Sequence, residues 1–147
     1  MKRRIKIASI ILYITSTLIL LMALLLFFGV VVRGALLLPM EEIIGFTTEE
    51  LNEINPSIFK FITTPISMVS ALLLTLSVGL FIMIKGPFKN QDSGARKTIF
   101  TMLTIFLVLA DVIAFSVFPH GPWPVWSLCT ILTIIAYVIS QPKSSDL

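Results

Sequence analysis

The sequence predicts an all-α membrane protein: a four-transmembrane-helix bundle with a short amphipathic helix in the first outer loop. Three observations carry this. Hydrophobic residues make up 56% of the chain and charged residues only 13%, against about 25% charged in a soluble domain. The apolar residues fall into four blocks near the ~20 residues that a membrane crossing needs, giving a mean hydropathy of +1.00. Lysine and arginine gather on one side of those blocks. Soluble globular and disordered classes are thereby excluded.

The first helix is expected over about 7–32, behind the basic cluster Lys2, Arg3, Arg4 and Lys6. A signal peptide shares the charged start, but its apolar part is only about 7–15 residues and ends in a small-residue cleavage site. Val30-Val31-Val32-Arg33 is a poor match, so a retained, overlong helix that tilts or projects outward is expected. An outer loop over 33–60 follows. Thr47-Thr48-Glu49-Glu50 reads as a capping box, with Phe46 and Leu51 placed as a hydrophobic staple, which predicts a short helix over 48–55. Asn55-Pro56 then reads as a second N-cap with proline in the first helical position. The second membrane helix is therefore expected over about 56–84, with Pro65 placed to kink it. An inner loop over 85–97, the third helix over about 98–118 and the fourth over about 123–141 complete one domain. The last two are joined by the rigid turn Pro119-His120-Gly121-Pro122, and Trp123 and Trp126 stand where an interfacial aromatic belt belongs.

Orientation follows from counting cations. The N-terminus, the 85–97 loop and the tail hold Lys2, Arg3, Arg4, Lys6, Lys85, Lys89, Arg96, Lys97 and Lys143, whereas the other side holds only Arg33 and Lys60. Positive residues are retained in the cytoplasm, which places both termini there. In this setting the pI of about 9.3 reflects topology, and nucleic acid is not an expected partner. The lipid bilayer is, together with other membrane subunits or further copies of the chain.

Asp111 is the one charged residue deep in an apolar run. Intramembrane carboxylates are costly and often mark ion or proton pathways; they also serve as hydrogen-bonded glue between helices. Thr101 and Thr104 share its helical face. Hydroxyl stripes recur on the other helices: Ser9, Tyr13 and Ser16; Thr63, Ser67, Ser70 and Ser77; Thr130, Thr133, Tyr137 and Ser140. One reading is close helix packing, since small hydroxyl residues let helices approach. The other is a polar site made by Asp111, Thr104, Thr101, Ser70 and Tyr137. Packing is the favoured reading. On the outer side, Glu49, Glu50, Glu53 and His120 form a candidate interaction surface; the acids lack the alternating ligand spacing of a calcium loop. One cysteine, Cys129, and one histidine rule out an intramolecular disulfide and multi-histidine metal sites within the chain. There is no phosphate-binding glycine loop, HExxH or GxSxG, so neither enzyme chemistry nor a cofactor is expected.

The segment Gly45-Phe46-Thr47-Thr48-Glu49-Glu50-Leu51-Asn52-Glu53-Ile54-Asn55-Pro56-Ser57 resembles one found between the first two helices of small DoxX-like prokaryotic four-helix membrane proteins. The resemblance implies a prokaryotic cell membrane and no activity. The expected function is that of a non-catalytic accessory subunit or small oligomeric membrane protein. The alternatives are a small proton-coupled transporter or channel using Asp111 and, behind it, a quinone- or lipid-dependent enzyme.

Overall fold

The computed structural model describes residues 2–29, 45–117 and 123–141. These form α1 (Lys2–Phe27), α2 (Thr48–Ile54), α3 (Pro56–Met83), α4 (Ser93–Val117) and α5 (Trp123–Ser140), with no strand among them. Four of the helices are long and apolar enough to cross a membrane; the span built on α3 continues to Phe88. His120 and residues 30–44 lie outside the described residues.

The local chemistry of residues 47–58 sets two helix starts. The Glu50 amide donates to Thr47 Oγ1 at 3.2 Å, and the Thr47 amide donates to Glu50 Oε2 at 2.8 Å. Both halves of the capping box are thus made, and α2 begins where the sequence places it. Leu51 is buried, but Phe46 is 45% exposed. Asn55 does not extend α2. It caps α3, its Oδ1 accepting from the amides of Ser57 at 3.0 Å and Ile58 at 3.4 Å. α3 runs through Pro65, which supplies no amide for the Phe61 carbonyl.

The charged segments are more helical than expected. α1 starts at Lys2 rather than near residue 7, and α4 at Ser93 rather than near 98. The expected 85–97 loop is largely absent: a π-helical turn, Ile84–Phe88, extends α3, and only four residues, Lys89 to Asp92, separate it from α4. Asp92 explains the early start of α4, because its Oδ1 accepts from the amides of Gly94 at 2.7 Å and Ala95 at 3.1 Å. Pro87, lacking an N–H, sits inside the widened turn, and Gln91 takes a left-handed φ of 65° to reverse the chain.

α1 is the centre of the bundle. It packs along α3 on one side and α5 on the other; α4 packs on α5, and α3 and α4 scarcely touch. The buried stripe of α1 is Ile5, Ala8, Leu12, Ile19 and Ala23, interleaved with Ser9, Thr15 and Ser16. On the helices packed against it, the buried residues include Ser70, Leu73, Ser77 and Leu80 of α3 and Cys129, Thr133, Ala136 and Ser140 of α5. Lipid tails are as apolar as leucine, so burying leucine between helices gains little in a bilayer. In a bilayer, close approach over small residues would supply the attraction instead. The buried faces fit that pattern: they mix Ala, Ser, Thr and Cys with apolar residues such as Leu12 and Leu80, while other large side chains such as Met68, Leu72 and Ile82 are exposed.

One end of the bundle is basic, with Arg3, Arg4, Lys6, Lys85, Lys89, Arg96 and Lys97. It is tied by the stacked rings of Tyr13 and Phe81 (5.8 Å), the Lys89 ammonium 5.9 Å from the Tyr13 ring, and Phe88 edge-on to Phe100 (6.1 Å). The opposite end is acidic and carries α2.

Candidate functional site

The polar centre of the molecule lies on the seam between α4 and α5. These helices are antiparallel neighbours, so a position near the end of α4 faces one near the start of α5. Asp111 is about 9 Å short of the end of α4, and Ser127 about 6 Å into α5, at ~1.5 Å per residue. Ser127 Oγ donates to Asp111 Oδ1 at 3.2 Å, and Thr130 Oγ1 donates to Oδ2 at 2.7 Å. Each oxygen of the side chain thus has its own donor, both from α5, and Ser127 and Thr130 lie one turn apart on one face. Thr130 Oγ1 also lies 3.1 Å from the Trp126 carbonyl of its own helix. A hydroxyl has one hydrogen, so the two acceptors compete for it, and the shorter contact is the one to Asp111.

Aromatic pairs flank this clamp along the seam. Phe115 and Trp123 lie with ring centroids 5.0 Å apart on its acidic side, and Phe106 meets Trp126 edge-on at 5.7 Å on its basic side. Further along, Phe100 meets Tyr137 at 5.1 Å, and Arg96 Nη1 donates to the Ser140 carbonyl at 3.2 Å. Cys129 is a buried free thiol.

Of the five residues expected to form a polar site, only Asp111 belongs to this cluster. Thr104 and Thr101 are exposed on α4, about 10 and 15 Å along the axis from Asp111. Ser70 is fully buried on α3, and its hydroxyl donates to the Ser67 carbonyl at 2.7 Å. Tyr137 is 48% exposed and meets Phe100 edge-on, about 15 Å along α5 from Ser127. The other stripe residues mostly turn back on their own helices: Ser9 donates to the Ile5 carbonyl (2.8 Å), Ser67 to that of Thr63 (2.9 Å) and Ser77 to that of Leu73 (2.8 Å). The buried Ser16 Oγ and Thr133 Oγ1 have no hydrogen-bond partner among the described residues. Ser127 was not singled out by sequence reasoning. Its signal is its place one helical turn before Thr130, about as far into α5 as Asp111 lies from the end of α4.

At the acidic end, Glu49, Glu50 and Glu53 are exposed on α2. Glu50 is committed to the cap. The Thr47 amide, and then the Thr47 hydroxyl at 2.9 Å, hold its carboxylate below the ordinary value of 4.5 by hydrogen bonding to the charged form. Glu49 adds negative charge to the same first turn. Among the described residues, no group of three or more His, Cys, Asp or Glu side chains comes together.

Comparison with known proteins adds no assignment: no protein-family model, curated protein or solved structure matches the chain.

Proposed function

We propose that this chain is a non-catalytic multi-pass membrane protein that works by packing against other membrane-embedded chains, as an accessory subunit or a homo-oligomer. The observation that carries this reading is the occupancy of Asp111. Both oxygens of the one acidic side chain within the four long helices are taken up by hydroxyls of the neighbouring helix, as an interhelical clamp would be. The remaining hydroxyls mostly fold onto their own backbones, which leaves an apolar exterior suited to lipid and to partner helices. The basic end faces the cytoplasm, in keeping with the charge asymmetry, so α2 with Glu49 and Glu53 forms an exposed recognition surface on the other side. The likeness of residues 45–57 to small prokaryotic four-helix proteins supports a prokaryotic cell membrane.

A second reading, a small proton-coupled transporter or channel, draws on Asp111 being only part-buried in a long apolar helix. Asp111→Asn separates the two. Reconstituted in vesicles, the variant should show no change in pH-driven flux relative to the parent chain but a weaker α4–α5 pairing on unfolding. A flux that the parent supports and the folded variant loses would overturn the packing proposal.

A further inference from the structure

We propose that the cleft between α3 and α4 seats one acyl chain of a membrane lipid from the leaflet at the acidic end. The cleft exists because α3 packs on α1 and α4 packs on α5, which leaves α3 and α4 apart over their acidic-end halves. It runs from Pro65 to Leu73 on α3 and from Phe106 to Ala114 on α4, about 12 Å at ~1.5 Å per residue. Leu26 of α1 and Trp126 of α5 form its back wall, and the small side chains of Ala110 and Ala114 leave the space open.

Three features select the occupant. The first is chemistry: no charged or hydroxyl side chain lines the cleft. Water needs two to four polar partners and so is not retained there. An empty cleft would leave its lining without van der Waals partners. The second is size. The cavity measures about 450 Å³, and ~150 Å³ of apolar cavity holds a six-carbon benzene ring. On that scale the volume is that of about eighteen carbons, ample for the stretch of a single acyl chain that lies along the groove. The third is shape. Val69, Leu109 and Ile113 at its mouth are 50%, 57% and 55% exposed, so it opens sideways into the hydrocarbon layer. Toward the basic end the gap is closed, where Phe88 packs on Phe100 and Ile84 and Ile99 are fully buried. A pocket that opens in one leaflet and ends toward the bilayer centre has the direction of a lipid tail. A membrane-crossing partner helix needs ~30 Å of groove, and this cleft offers less than half of that.

Trp126 provides the probe. The chain has two tryptophans, so Trp123→Phe leaves Trp126 as the sole indole, and the purified full chain in detergent can be titrated with phosphatidylcholine brominated on one acyl chain. Quenching of Trp126 should saturate at about one lipid per chain. Ala110→Phe, which fills the cleft, should raise the half-saturating lipid concentration at least tenfold. Ala114→Leu serves as a smaller plug should the first variant not fold. Quenching that rises linearly with bromolipid and is unchanged by both plugs would overturn the proposal. So would a plug that alters the mass of the purified protein without altering the quenching, because the occupant would then be another chain. The inference needs only that the four helices lie in a bilayer. A lipid-binding monomer would uphold it while contradicting the packing function above.

Discussion

Thr130 and Thr133 lie one turn apart on the same helix, and the structure assigns opposite signs to the same substitution at each. Valine has nearly the shape of threonine without the hydroxyl, so Thr→Val tests the hydrogen bond alone. At position 130 it removes the 2.7 Å bond to Asp111 Oδ2 and leaves that oxygen without a donor among the described residues. Interhelical hydrogen bonds in bilayers average about 0.6 kcal/mol and reach about 1.7. A short bond to a carboxyl group should lie in the upper half of that range, which gives a loss of about 1–1.7 kcal/mol for Thr130→Val. At position 133 the hydroxyl is buried without a partner among the described residues. Removing it should be neutral, or stabilising by up to about 1 kcal/mol. The assay is reversible unfolding in mixed micelles, extended to a double-mutant cycle of Thr130→Val with Asp111→Ala. The cycle should give a coupling of about 0.6–1.7 kcal/mol. The matching cycle with Thr104→Val, which shares Asp111's face but lies exposed on α4, should be additive within about 0.5 kcal/mol. Coupling to Thr104 as large as that to Thr130, or equal losses at 130 and 133, would refute the placement of Asp111 on the α4–α5 seam.

Other outcomes follow from the same geometry. In a Cys129→Ala background, single cysteines at Lys89 and Glu53 should react with a membrane-impermeant maleimide from opposite sides of sealed vesicles; labelling from one side contradicts the four-crossing topology. Thr47→Ala should cost α2 about 1 kcal/mol through the lost cap, read as faster amide exchange over residues 49–54. Because hydrogen bonds depress Glu50 in the folded chain, its contribution to the cap is complete above about pH 4.5 and is lost as pH falls through the lower folded value. Protection of α2 should therefore fall on acidification, and Glu50→Gln should abolish that pH dependence. Ala23→Leu on the fully buried stripe of α1 should destabilise by about 1–3 kcal/mol through overpacking, whereas a like-sized change at exposed Val138 should be nearly silent.

What the sequence made legible was local. The Thr47–Glu50 box and the Asn55-Pro56 start depend on side chains reaching amides two or three residues away, and both form as their residue types dictate. The early start of α4 was equally local, but the Asp92 cap was obscured by a run of charge and turn formers that reads as loop. The helical form of Lys2–Lys6 was hidden for a related reason, since hydropathy marks where lipid begins and not where hydrogen bonding begins. Helical periodicity placed Asp111, Thr104 and Thr101 on one side of α4, and they do share it. Which neighbouring helix that side meets, and at what height, depends on the order of helices around α1, which no spacing encodes. Asp111 therefore meets Ser127 and Thr130, while Thr104 and Thr101 face outward and Ser70 bonds within α3. The same ordering leaves the cleft between α3 and α4.

The central claim, that this bundle works by packing against other chains, is tested most directly by the mass of the protein extracted from its membrane in mild detergent. The account predicts one discrete species heavier than the 16.3 kDa chain, either a fixed multiple of it or a complex with a stoichiometric partner. A monodisperse 16.3 kDa monomer with no co-purifying protein would contradict it.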